Sequence, residues 1–177
     1  MKYFKKLSLS IDTSCALDTT KLSFGDSFYK WQKYGLNLLK QMKYTAVANK
    51  QYKIIGKDAD DILAYLPKSL LYLEVPEVWV FNSQSNDAKL SMLAPHRDLV
   101  RLCGINIYYE THSERTIFYT YDNQVLSEVE SFVAKNGDCY ILDVDQPHSV
   151  ELTPNKIRKS LSISFINTPY SEVIKHF

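Results

Sequence analysis

Cysteine is scarce and badly placed for cross-linking. Cys15, Cys103 and Cys139 are odd in number and far apart, which excludes a disulfide framework and a Cys-x-x-Cys metal pair. That usage suits a reducing compartment, and the cytoplasm is the expected location. An excess of charge of either sign is missing too. The 21 basic and 20 acidic residues leave a net +1 spread along the chain, which gives no electrostatic reason to expect nucleic acid or an anionic membrane as partner. No hydrophobic run approaches the length of a membrane span. The opening MKYFKKLSLSIDTSCALD is basic but lacks the continuous apolar stretch of a signal peptide. Internal repeats, low-complexity tracts, linker-like composition shifts and a glycine-rich loop are also absent. What is plentiful is aromatic: 13 Tyr and 8 Phe lean towards β structure and aromatic-lined surfaces.

A chain of 177 residues is long enough to bury a core without staples, and one domain over 1–177 is expected. Within it, 1–70 is expected as mainly helical support, 71–168 as a jelly-roll core and 169–177 as a C-terminal tail. Asp26 can cap SFYKWQKYGLNLLKQM, where Phe28, Trp31, Gly35, Leu38 and Met42 recur at helical spacing. A second helix is predicted to start at Asp58, with Asp60 and Asp61 near its positive end, and to weaken at Pro67. From residue 70 the period changes. LYLEVPEVWVFN, CGINIYYE, RTIFYTYDN, SFVAKNG, DCYILDV, HSVEL and IRKSLSISFIN read as short strands separated by turn residues. Helices followed by many short strands predict a mainly β fold with N-terminal helices, a β-sandwich or barrel of the jelly-roll kind.

The segment APHRDLVRLCGIN carries the motif that matters. His-Arg-Asp opens the catalytic loop of protein kinases, but that motif needs an Asn five residues after the Asp, and residue 103 is Cys. The other reading takes His96 and Asp98. At i and i+2 on an extended segment both side chains point to one face. One imidazole and one carboxylate so placed are two ligands of a two-histidine-one-carboxylate triad, the arrangement that holds non-haem Fe(II) and leaves three positions open. A third ligand is needed, and the other histidines are His112, His148 and His176. His112 sits in ETHSERT, which reads as an exposed hairpin tip. His176 adjoins the C-terminus, where disorder is the expectation. His148 follows NGDCYILDVDQP and opens HSVEL, so it can face the barrel interior at its mouth.

Arg158 follows His148 by ten positions and begins Arg158-Lys159-Ser160. With these residues in place the sequence resembles the Fe(II)- and 2-oxoglutarate-dependent oxygenases, whose pattern is His-x-Asp, a distal His, then Arg-x-Ser. The resemblance covers roughly residues 76 to 166 through His96, Asp98, His148, Arg158 and Ser160, with GDCYILDVDQPHSV similar to the family's Gly-Asp, strand and Pro-His segment. PHRDLVRLCGINIYYE is most similar to the branch that includes aspartyl/asparaginyl hydroxylases. The resemblance implies a double-stranded β-helix, a cupin-like jelly-roll barrel with helices packed on one sheet. It implies Fe(II), 2-oxoglutarate as co-substrate and O2, with His96, Asp98 and His148 as metal ligands and catalytic centre. Arg158 and Ser160 would take the far carboxylate of 2-oxoglutarate, because burying that anion without a cation is costly. An Asp rather than Gly or Ala at position 98 implies hydroxylation or desaturation, not halogenation. The expected substrate is a small molecule, an amino acid or a peptide.

Facing decides whether this holds. In the last strand Arg158, Ser160, Ser162 and Ser164 share one face, and Leu161, Ile163 and Phe165 the other. HSVEL and the last strand read as a hairpin, in which an odd loop, such as Thr153 to Asn155, puts His148 and Arg158 on one face and a four-residue loop does not. An odd loop is the expectation. In CGINIYYE, Asn106 and Tyr108 share a face and become candidates to touch co-substrate or substrate; a half-wet outer face is the alternative. Arg97 and Arg101 are expected as solvated surface residues, service to an anionic substrate being the alternative. Two competing functions remain open: a cupin-like hydrolase or isomerase using zinc or manganese with a fourth protein ligand, and a non-catalytic jelly roll in which the three residues would lie scattered.

Overall fold

The computed structural model describes residues 2–16, 23–24, 47–85, 91–98, 100–123 and 125–177. Eleven strands occur in them: β1 (Phe4–Leu7), β2 (Ser23–Phe24), β3 (Val47–Ile54), β4 (Glu77–Ser85), β5 (Ser91–His96), β6 (Cys103–Glu110), β7 (Arg115–Asp122), β8 (Val125–Val133), β9 (Cys139–Leu142), β10 (His148–Leu152) and β11 (Ile157–Phe165). Short helices are α1 (Lys57–Leu63), α2 (Lys68–Leu71) and α3 (Tyr170–Val173). The strands form two antiparallel sheets, one in the order β1-β9-β6-β11-β4-β3-β2 and the other in the order β5-β10-β7-β8. From β4 onwards the chain passes repeatedly between the sheets: β4, β6, β9 and β11 lie in the larger, β5, β7, β8 and β10 in the smaller. This winding is the cupin-like jelly roll that the resemblance implied.

The faces of the larger sheet divide cleanly. Val78 and Val80 of β4, Ile105 and Ile107 of β6, Cys139 and Ile141 of β9, and Leu161, Ile163 and Phe165 of β11 point outwards into the main apolar cluster. Ile62, Leu63, Leu66 and Leu70 from the α1–α2 region and Val173 of α3 close over them. Burying one such side chain is worth about 2 kcal/mol, so this layer carries much of the fold's stability. The opposite face turns the even-numbered residues of β6 and β11 inwards, towards the smaller sheet. There Tyr108, Phe118, Phe132, Tyr140, Leu142 and Val144 form a second, aromatic cluster.

Several expectations need correction. The first third is not mainly helical in its described part: it contributes β1, β2 and β3, with α-helix at α1 and α2 and a 3-10 turn at Ser14–Ala16. The predicted helix over 26–42 lies outside the described residues. The helix from Asp58 is present as α1, its acidic first turn intact. His176, where disorder was the expectation, lies in a 3-10 turn at Ile174–His176 that with α3 packs on the core, Val173 being fully buried and Ser69 Oγ 2.9 Å from His176 Nδ1. β10 and β11 are not a hairpin. β10 pairs with β5 and β7, β11 with β4 and β6, and the four residues Thr153 to Lys156 cross from one sheet to the other. The odd-loop argument therefore did not apply. Inward-facing residues of the two strands meet across the gap between sheets, not side by side.

Glu74 ties the crossing ends together. Its carboxylate accepts the N–H groups of Ile166, Asn167 and Thr168 and the Thr168 hydroxyl, at 2.8 to 3.2 Å. It thereby joins the entrance of β4 to the exit of β11. These bonds are partly exposed and the freed N–H groups of Asn167 and its neighbours can regain water, so Glu74→Ala is expected to cost about 2 kcal/mol in all, read as a lower urea midpoint. Glu74→Gln, which keeps one acceptor oxygen, is expected to lose about half of that.

Candidate metal centre

His96 ends β5, and the chain stays extended through Asp98, whose N–H donates to the Val144 carbonyl at 3.0 Å. That backbone bond fixes the two-residue spacing which puts both side chains on one side. His148 opens β10 and is paired directly with His96 across the ladder. Its Nδ1 lies 2.9 Å from the Gln146 carbonyl oxygen. A carbonyl only accepts, so Nδ1 carries the proton and Nε2 keeps its lone pair. Asp98 Oδ1 stands 3.5 Å from His96 Nε2 and 4.0 Å from His148 Nε2, and the two rings are 4.4 Å apart at their centres. One ligand atom from each of the three residues lies within 4.8 Å of the others.

The electrostatics match the geometry. Burial opposes the Asp98 carboxylate, but Arg101 and the two histidines hold its pKa well below the usual carboxylate range, so it is an anion. His148 is driven the other way from its ordinary value, down to about 4, by burial first and then by the charge of His96. It is therefore a neutral imidazole at neutral pH, the form that ligates. Asp98 Oδ1 is buried and has no hydrogen-bond partner among the described residues. An anionic oxygen left unpaired between two imidazole nitrogens is a costly arrangement unless a cation joins it. Two ligand bonds of about 2 Å reach across either gap. The residues fit a divalent transition metal.

Both sheets line a cavity of about 60 Å³ in front of this group. Arg158 enters it from β11, buried, with its guanidinium 4.7 Å from the Tyr108 ring centre and one hydrogen bond of 3.2 Å to Thr116 Oγ1 of β7. Ser83, Asn106 and Ser160 also line the cavity, and Asn106 Oδ1 is buried without a partner. Arg101 stands beside the group: its Nε donates to Asp98 Oδ2 at 2.5 Å, and its Nη1 to the hydroxyls of Ser162 and Ser164.

The structure thus brings His96, Asp98, His148, Arg158, Ser160, Asn106 and Tyr108 to one cavity. Arg97 lies at the surface, paired with Asp145. Arg101 does not: its side chain is 13% exposed, and the expectation of a solvated arginine is overturned by its ion pair. Thr116, Ser162 and Ser164 were missed as site residues. The serines' alternation with Leu161, Ile163 and Phe165 was the available signal. His112, half-buried at the β6–β7 turn, meets the Ile157 carbonyl, and neither it nor His176 joins the group. Burial pushes the Cys139 thiol up to about 12 and that of Cys103 up as well, so neither supplies a thiolate.

No family model matches the chain, and no curated protein matches it. Among solved structures it is similar to a prolyl-4-hydroxylase of Pseudomonas putida, with a TM-score of 0.46, 12% identity, and 94% of this chain and 93% of that one covered. It is also similar to the ribosomal oxygenase YcfD of Escherichia coli, with a TM-score of 0.47, 12% identity, and 76% and 36% covered. A third is the 7S globulin of Momordica charantia, with a TM-score of 0.43, 10% identity, and 68% and 30% covered. The chain spans about a third of the length of the last two. At such identities these likenesses carry nothing about activity, which has to come from the side chains.

A buried imidazole with a lowered pKa has a signature in the metal-free protein. Its unfolded form takes up a proton near 6.5 and its folded form only near 4. Stability therefore falls as pH drops through that window. Urea melts from pH 7 to 4 are expected to show this slope in wild type and a flatter one in His148→Gln. An unchanged slope would refute the neutral imidazole.

Proposed function

We propose that this chain is an Fe(II)- and 2-oxoglutarate-dependent dioxygenase that hydroxylates a small-molecule, amino-acid or peptide substrate. The observation that carries the reading is Arg158. It is a buried guanidinium with a hydroxyl and an aromatic face as neighbours and no carboxylate in ion-pair range among the described residues. An unpaired buried cation calls for an anion, and the cavity it shares with His96, Asp98 and His148 is where that anion would sit.

The spacing supports a dicarboxylate. Thr116, which holds Arg158, is two residues along β7 from Phe118, which pairs with His148. Two strand residues rise about 7 Å, a span that a five-carbon chain covers. In this reading His96, Asp98 and His148 hold the metal, and Arg158 with Ser160 and Thr116 binds the far carboxylate. Fe(II) held there, with 2-oxoglutarate and dioxygen, would supply the oxidising chemistry for hydroxylating a substrate C–H bond, with succinate and carbon dioxide as the other products. Tyr108 stacks on the guanidinium and keeps it aimed inwards. Leu93, Leu142, Val144 and Val150 line the cavity with apolar surface that keeps water from the centre. Three unpaired cysteines fit a cytoplasmic enzyme.

The alternatives fare worse on the same geometry. A fourth protein ligand would favour a cupin-like hydrolase or isomerase, and among the described residues the group has three members, with the buried Arg158 guanidinium in the same cavity. A binding-only jelly roll gives no reason for the three to converge with an orphaned carboxylate oxygen. Anaerobic addition of Fe(II) and then 2-oxoglutarate is expected to produce the visible charge-transfer band of the chelate. Arg158→Ala is expected to weaken 2-oxoglutarate binding at least about thirtyfold, as loss of one partner of a buried charge pair does. No band in wild type would overturn the proposal.

A further inference from the structure

We infer that Arg101 is a positioning residue: it restricts Asp98 to a single ligand oxygen and so keeps a coordination position free for the co-substrate. The inference rests on the metal-centre reading above. Arginine and a carboxylate readily pair through two parallel bonds that occupy both oxygens. Here the fork is turned aside. Nε takes Asp98 Oδ2 at 2.5 Å, while Nη1 is drawn off to Ser162 Oγ at 2.7 Å and Ser164 Oγ at 3.3 Å. The Phe81 ring lies 4.9 Å from the guanidinium carbon. Below it is Gly104, where an added Cβ would stand 3.3 Å from Nη1, so the bare backbone leaves the guanidinium its seat. Asp98 follows a strand of the smaller sheet, and Ser162, Ser164, Phe81 and Gly104 all belong to the larger one. The carboxylate is therefore braced across the barrel. Oδ2 is committed, and only Oδ1 faces the two imidazoles.

The consequence follows from counting. A six-coordinate metal with two imidazoles and one carboxylate oxygen has three open positions. A chelating 2-oxo acid needs two of them and dioxygen one. A carboxylate free to swing and give both oxygens would close a position that the co-substrate needs.

Co(II) serves as a spectroscopic metal, with 2-oxoglutarate titrated into the loaded protein. In Arg101→Met, Co(II) is expected to bind with an altered visible spectrum, and 2-oxoglutarate affinity at saturating Co(II) to fall about tenfold or more. Arg101→Lys, whose ammonium can still hold Oδ2 alone, is expected to recover most of the affinity. In Ser162→Ala/Ser164→Ala the guanidinium is released to take both carboxylate oxygens, and Co(II) affinity is expected to fall about tenfold. Wild-type spectrum and 2-oxoglutarate affinity in Arg101→Met would overturn the inference. If circular dichroism shows that variant unfolded, unchanged Co(II) affinity in the double serine variant overturns it instead. A wild-type protein that takes up no Co(II), holds it equally after Asp98→Ala, or binds no 2-oxoglutarate once loaded overturns the proposed function itself.

Discussion

The inward row of β11, Arg158, Ser160, Ser162 and Ser164, is buried, and every polar group on it has to find a partner between the sheets. That demand organises the centre of the molecule. Arg158 reaches across to Thr116, and Ser162 and Ser164 accept from Arg101, which in turn grips Asp98. Buried polar groups without partners cost more than the bonds they make are worth. Those that remain unpaired at this centre, Asp98 Oδ1 and Asn106 Oδ1, both face the cavity. The same strand can afford this polar face because its other side, Leu161, Ile163 and Phe165, is packed under the helices.

Charge is handled in the same economical way. One anion, Asp98, and one cation, Arg158, are buried around two imidazoles, of which His148 is held neutral, and a second, half-buried cation, Arg101, stands beside them. Arg101 compensates Asp98 locally. Arg158 is left with a surplus at the far end of the cavity, so the centre has a polarity: a carboxylate at one end and an unpaired guanidinium at the other. Both ends are largely covered by protein, which weakens solvent screening and makes the separation count.

Much of the site was legible in the sequence because it depends on short spacings. His96 and Asp98 are two apart on an extended segment, and Arg158, Ser160, Asn106 and Tyr108 obey strand alternation. Alternation reports which residues share a face, but not which strand lies beside which. For that reason β10 and β11 were read as a hairpin when they belong to different sheets. Arg101 was illegible for a related reason: its burial depends on hydroxyls about sixty residues away in sequence, which local polarity cannot announce. In the first third, β1 and β3 carry two Lys each and no strong alternating pattern, whereas the acidic start of α1 is a local signal and was readable. The jelly-roll class itself followed from the succession of short strands with turn residues between them.

β11 writes two messages in alternate letters. Odd positions from Leu161 to Phe165 speak to the apolar layer outside, even ones from Arg158 to Ser164 to the chemistry inside. Because neighbouring letters answer to different constraints, the inner set can change its ligand while the outer set keeps the barrel standing. A change on the inner row is therefore felt in the hydrogen bonds of the cavity, and a change on the outer row in the apolar layer under the helices.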